Sequence, residues 1–79
     1  IMEPTSLIVR SNDALITSQI KTLMLADADV PSSRIKVITE NGVVFLLGIV
    51  TRQEAANATS AVENANGVQK IVRLFEYTN

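Results

Sequence analysis

The spacing of apolar positions changes along the chain, and each change marks an element. Between Ala14 and Leu25 the apolar stripe is Ile16, Ile20, Leu23 and Met24, at i, i+4, i+7 and i+8, which one face of a helix would bury. Ser11, Asn12 and Asp13 come just before it, and each side chain can accept from the free N–H groups of a first turn. A first helix is therefore predicted from about residue 11 to Leu25. "IKVITE" and "VVFLLGIV" read as strands joined by Asn41-Gly42, the strongest short signal for a type I′ hairpin turn because both positions need positive φ. That turn sets Glu40 opposite Val43, Thr39 opposite Val44 and Ile38 opposite Phe45. Thr51 and Glu54 then have capping-box spacing before a narrow stripe of Ala55, Ala58, Val62 and Ala65, and Gly67 is the expected left-handed cap. "VQKIVRLFEYT" reads as the last strand.

The order α-β-β-α-β predicts an α+β domain over residues 11–79. Two helices would lie on one face of a three-stranded mixed sheet, the last strand parallel to a hairpin strand through a right-handed crossover. Residues 1–10, with Pro4 and no helical period, read as a linker or irregular lead-in. Alternation puts Ile35, Val37, Val44, Leu46 and Gly48 on the helix side of the sheet, where Gly48 offers a place for the small-residue helix to come close. Val68, Val72 and Leu74 are expected to join them.

The opposite face is the unusual one. From Val43 to Val50 every residue is apolar or glycine, whereas a strand with one solvated face should alternate. Ile38, Phe45, Leu47, Ile49, Ile71 and Phe75 are expected there, and no element of the chain is left to cover them. An apolar patch of this kind marks an interaction surface, with Ile38, Phe45, Leu47 and Phe75 as its candidate contacts. The stems of Lys36 and Arg73, or the N-terminal segment, are the alternative covers.

Composition narrows the chemistry. The chain has 79 residues, enough for one domain. It is 47% hydrophobic but 4% aromatic, so the core must come from Val, Ile, Leu and Ala. There is no cysteine and no histidine, which removes disulfides, thiolate metal sites and the commonest general base. The carboxylates Glu40, Glu54, Glu63 and Glu76 form no recognisable acid–base pair, and Asp27-Ala-Asp29 lacks calcium-loop spacing. Neither catalytic residues, nor a metal site, nor a cofactor is expected. A net charge of −1, no GXXG clamp and no aromatic RNP motif argue against nucleic acid. No apolar run approaches a membrane span. Ile1 is not a natural start residue, so the chain is expected to be a piece of a longer protein.

The outer face of the first helix is more telling. Ala14, Leu15, Ser18, Lys21, Thr22 and Leu25 fall opposite the core stripe. A solvated face would be rich in Glu, Lys and Arg; two leucines, small hydroxyl residues and one cation suit shallow contact with a bilayer surface. Packing on a neighbouring domain and simply a low-charge surface are the other readings of that composition.

"TENGVVFLLGIVTRQEA", with Gly67-Val68 and the last strand, resembles the BON domain. The resemblance covers residues 11–79 and rests on Gly42, Val44-x-Leu46-x-Gly48, Thr51-x-x-Glu54-Ala55 and Gly67-Val68. It is most like the second domain of a two-BON outer-membrane lipoprotein. The resemblance implies the αββαβ fold and a bacterial envelope protein facing the periplasm, held by a lipid anchor outside this piece and linked to envelope integrity and cell division. It also implies contact with anionic phospholipid such as phosphatidylglycerol through the first helix. Carried over by position, the lipid-binding residues are Leu15, Ser18, Lys21, Thr22 and Leu25, with Asn12 and Asp13 at the helix start. The lipoprotein has a tryptophan where Leu15 stands; an indole anchors at the headgroup level, while leucine contributes burial alone. In a two-BON protein the sibling domain is the expected cover for the open sheet face.

Overall fold

The computed structural model describes the backbone of residues 4–79 and the side chains of residues 12–79. The elements are α1 (Pro4–Ala26), a 3-10 turn (Ser32–Arg34), β1 (Ile35–Glu40), β2 (Val43–Val50), α2 (Arg52–Glu63) and β3 (Lys70–Tyr77). The sheet order is β1-β2-β3, with β1 antiparallel and β3 parallel to the central β2. Helix α1 packs over β1 and α2 over β3, and the two helices touch each other. This is the expected α+β arrangement, a mixed three-stranded sheet with both helices on one side.

The core sits between the layers. Ile16, Ile20 and Met24 from α1 meet Val37, Val44, Leu46 and Val50 from the sheet, closed off by Ala55, Ala58, Ala61 and Val62 of α2. Leu23, expected in the stripe, is half-buried at its margin. The alanines explain how a domain with so few aromatics closes: short side chains let α2 lie near the sheet without leaving voids.

The hairpin has the register expected from its turn, with Glu40 opposite Val43 and Ile38 opposite Phe45. Asn41 and Gly42 both take positive φ, 52° and 80°. The capping box is also present: the Thr51 hydroxyl accepts from Glu54 N–H at 3.1 Å while Glu54 accepts from Thr51 N–H at 2.9 Å.

Four expectations are corrected. The helix begins at Pro4, so the irregular lead-in expected over residues 1–10 is helical from there; residues 1–3 lie outside the described residues. Proline at the first helical position costs little, because its missing N–H would have no helical partner anyway. Asn12 and Asp13 are consequently inside α1 and cap nothing there. Asp13 instead accepts from Asn41 N–H and Gly42 N–H, at 2.9 and 3.0 Å, tying α1 to the hairpin turn.

Gly67 does have positive φ (88°), but α2 ends at Glu63 with Asn64 as its C-cap, so the glycine belongs to the loop that follows. What comes close at Gly48 is the 3-10 turn and not α2: a Cβ there would collide with the Arg34 carbonyl oxygen.

The fourth correction concerns β3. Its register sets Val44 beside Ile71, Leu46 beside Arg73, Gly48 beside Phe75 and Val50 beside Tyr77. Neighbours in register point to the same face, so Ile71, Phe75 and Tyr77 are on the helix side, where Ile71 and Phe75 pack against the core. Val72 and Leu74, expected in the core, are on the open face. The alternation was legible, but its phase was not, since no tight turn fixes β3 against β2.

Candidate functional site

Two surfaces stand out, one on each side of the domain. On the helix side, α1 turns Leu15, Ser18, Lys21, Thr22 and Leu25 outward, all exposed. Leu15 is 63% and Leu25 74% accessible, and they lie ten residues apart, about 15 Å along the axis at 1.5 Å per residue. Thr22 donates its hydroxyl to the Ser18 carbonyl at 3.0 Å, so one polar group on this face already has its partner within the helix. Lys21 has no ion-pair partner among the described residues.

The face is not flat. Leu15, Ser18 and Thr22 line a shallow groove of about 450 Å³ toward Asn64 at the end of α2. Lys21 and Leu25 line another of about 300 Å³ beside Ser32 and Ser33. The outward stretch of α1 from Leu15 to Leu25 therefore has a leucine at each end, with an ammonium group between them and a groove beside each leucine. Asn12 is exposed one turn before Leu15. Asp13 is half-buried, and its carboxylate is committed to the hairpin turn, which removes it from that patch.

On the other side is the open sheet face. Two cross-strand rows span all three strands: Ile38, Phe45 and Val72, then Lys36, Leu47 and Leu74. Ile38 is 37%, Ile49 57% and Leu74 52% accessible, while Phe45, Leu47 and Val72 are half-buried by their neighbours. Of the four expected contacts, Ile38, Phe45 and Leu47 are brought together here. Phe75 is not: it is on the other face. Val72 and Leu74 take its place, because the phase of β3 is one residue from the expected one. Arg73 shares the phase of Phe75, so its stem cannot shield the patch. The N-terminal segment from Pro4 onward belongs to α1, in the helix layer.

Neither surface assembles reactive groups. The only ion pair among the described residues is Arg34–Glu54 at 2.6 Å, a contact between the 3-10 turn and the start of α2. Asp27 accepts from Asp29 N–H at 2.9 Å and so shapes its own loop. No group of three potential metal ligands occurs among the described residues.

A family model described as the BON domain matches residues 12–79. The chain is 42% identical over 67 residues to the outer membrane lipoprotein DolP of Haemophilus influenzae, covering 85% of this chain and 35% of that protein. It is 40% identical over 67 residues to a 21 kDa hemolysin of Actinobacillus pleuropneumoniae, covering 85% of this chain and 34% of that one. To the osmotically-inducible protein Y of Escherichia coli it is 39% identical over 62 residues, 77% of this chain and 31% of the relative. The chain thus spans about a third of the length of these curated relatives. With the αββαβ architecture and a family match from Asn12 to Asn79, the chain belongs to the BON domain family.

Proposed function

We propose that this chain is a non-catalytic phospholipid-binding module of a bacterial envelope lipoprotein, corresponding to the second BON domain of a DolP-like protein. It contacts anionic phospholipid, such as phosphatidylglycerol, through the outer face of α1 and supports outer-membrane integrity from the periplasmic side. The observation that carries the reading is the exposed Leu15–Lys21–Leu25 ridge, with no carboxylate among its outward residues. The similarity to a protein named an outer membrane lipoprotein supports the location.

The energetics describe a transient contact. Leu15 and Leu25 are about two thirds to three quarters open, so burying the rest of each contributes about 1–2 kcal/mol. Lys21 near an anionic surface adds about 1 kcal/mol. The sum corresponds to roughly millimolar affinity. Lasting attachment then comes from a lipid anchor elsewhere in the protein.

The deciding experiment is an NMR titration of the labelled chain with phosphatidylglycerol micelles, with phosphatidylcholine as control. Shifts over residues 12–25 with the anionic lipid alone are expected. Equal shifts with both lipids, or none there, would overturn the reading.

A second reading rests on the Ile38–Phe45–Val72 and Leu47–Leu74 rows, exposed apolar surface on the side away from α1. There the domain would dock a protein, with a sibling BON domain as the expected partner.

A further inference from the structure

Beside the α1 ridge, and sharing Leu15 with it, is a cleft of about 600 Å³ between α1, the hairpin turn and the loop from α2 to β3. Half of its lining is carboxamide: Asn12 and Gln19 from α1, Asn41 from the turn, and Asn66 and Gln69 from the loop. Leu15 supplies an apolar rim, and Asp13 the one carboxylate among the described lining residues.

This lining favours one kind of ligand. A cation would find a single carboxylate, Asp13, whose Oδ1 and Oδ2 each already accept one N–H, from Gly42 and Asn41. An anion would find no cationic side chain among the described lining residues. A flat aromatic ligand would need a ring to stack on, and none is there. What remains is a neutral group that both donates and accepts. Each carboxamide offers an acceptor oxygen and two N–H donors, which matches the dual character of a hydroxyl group.

The side chains of Asn41, Asn66 and Gln69 make no hydrogen bond to protein among the described residues, so their capacity is available. Gln19 Oε1 accepts from Asn66 N–H at 3.3 Å, which joins two walls and leaves its NH₂ group to donate. The Gln69 backbone is held independently of its side chain, by its N–H donating to the Gly42 carbonyl at 2.9 Å. The volume lies within the range of small-molecule sites, about 300–1,000 Å³.

We infer that this cleft binds a neutral polyol, a ligand bearing adjacent hydroxyl groups, through Gln19, Asn41, Asn66 and Gln69. The hydroxyls come either from a free saccharide or from the glycerol headgroup of a phospholipid reaching over Leu15. The inference goes beyond the lipid reading of the ridge.

The test is a ¹⁵N-correlated NMR titration of the chain with maltose, following backbone amides and the side-chain NH₂ signals of Gln19, Asn41, Asn66 and Gln69. Polyethylene glycol, which accepts without a run of hydroxyls, is the control. A lipid arm compares micelles carrying phosphatidylglycerol with micelles carrying phosphatidylserine, whose headgroup is also anionic but lacks the diol.

Saturable shifts at the four carboxamides with maltose identify a saccharide site; shifts there with phosphatidylglycerol alone identify a headgroup site. The double variant Asn66→Ala/Gln69→Ala should weaken either by roughly tenfold or more. Lys21→Glu should leave the maltose titration unchanged, which separates this cleft from the ridge. Maltose shifts no larger than those from polyethylene glycol, together with equal effects of the two lipids at the carboxamides, would overturn the inference. So would binding that the double variant leaves intact while its spectrum stays dispersed.

Discussion

Asp13 holds Gly42 from 29 residues away: its Oδ1 accepts the Gly42 N–H at 3.0 Å, and Oδ2 accepts the neighbouring Asn41 N–H at 2.9 Å. A hairpin turn of positive φ leaves N–H groups without ladder partners, and a carboxylate on the adjoining helix satisfies two of them. The pair fixes where α1 crosses the sheet and therefore which residues α1 turns outward. Asp13→Ala should destabilise the domain by about 1–3 kcal/mol, as charge-assisted bonds to part-buried donors are lost. Asp13→Asn, which keeps one acceptor, should cost less. Urea midpoints of the three proteins would check the order.

Much of the fold could be read from short-range signals. Asn41-Gly42 fixed the hairpin register, and Thr51 with Glu54 marked the start of α2, because each acts over a few residues. Helix α1 is longer than its sequence suggests because Asn and Asp favour caps, and nothing local shows that Asp13 has its partners 28 and 29 residues on. The β3 phase failed for a related reason. A parallel strand reaches its neighbour through a crossover, so alternation leaves two phases, and Ile71 or Val72 could equally have faced the core. The outward residues of α1 were legible because one helix period, anchored on Ile16, Ile20 and Met24, determines both faces. The carboxamide cleft was not: Gln19, Asn41 and Gln69 meet only in the folded chain.

Acid should weaken the start of α2. The Thr51 N–H bond holds the Glu54 carboxyl below its ordinary pKa, opposed by desolvation and assisted by the Arg34 charge. A depressed folded pKa stabilises the fold above the unfolded value, and that contribution is lost as pH falls through the folded one. Stability measured from neutral pH to about pH 3 should therefore decline below the ordinary glutamate range. In Glu54→Gln, whose side chain does not titrate, this part of the decline should vanish.

The ridge on α1 predicts a charge-sensitive, fold-neutral phenotype. Lys21→Glu exchanges about 1 kcal/mol of attraction for a similar repulsion, so binding to phosphatidylglycerol vesicles should fall by roughly 10- to 30-fold. Leu25→Glu should abolish detectable binding, by removing apolar contact and adding charge. Both positions are exposed, so thermal midpoints should barely move. Added salt should weaken the wild-type contact in the same direction. Vesicle sedimentation with and without salt would measure all of these.

Neighbouring residues on β3 should fail in opposite ways. Phe75 packs against the core, with its ring 6.5 Å from that of Tyr77, and Arg52 lies over the Tyr77 ring at 4.6 Å. Phe75→Ala should therefore lower stability by about 1–3 kcal/mol, less than for a fully buried ring. Leu74 points to the open face beside Leu47, and Leu74→Asp should leave stability within about 0.5 kcal/mol. If the open face docks a sibling BON domain, Leu74→Asp and Phe45→Asp should each abolish that contact, while Phe75→Ala weakens the fold and not the interface. Denaturation of the chain alone, set beside pull-down of the partner domain, distinguishes the two effects. The contrast depends on the parallel register of β2 and β3, so it tests that register as much as the surface it creates.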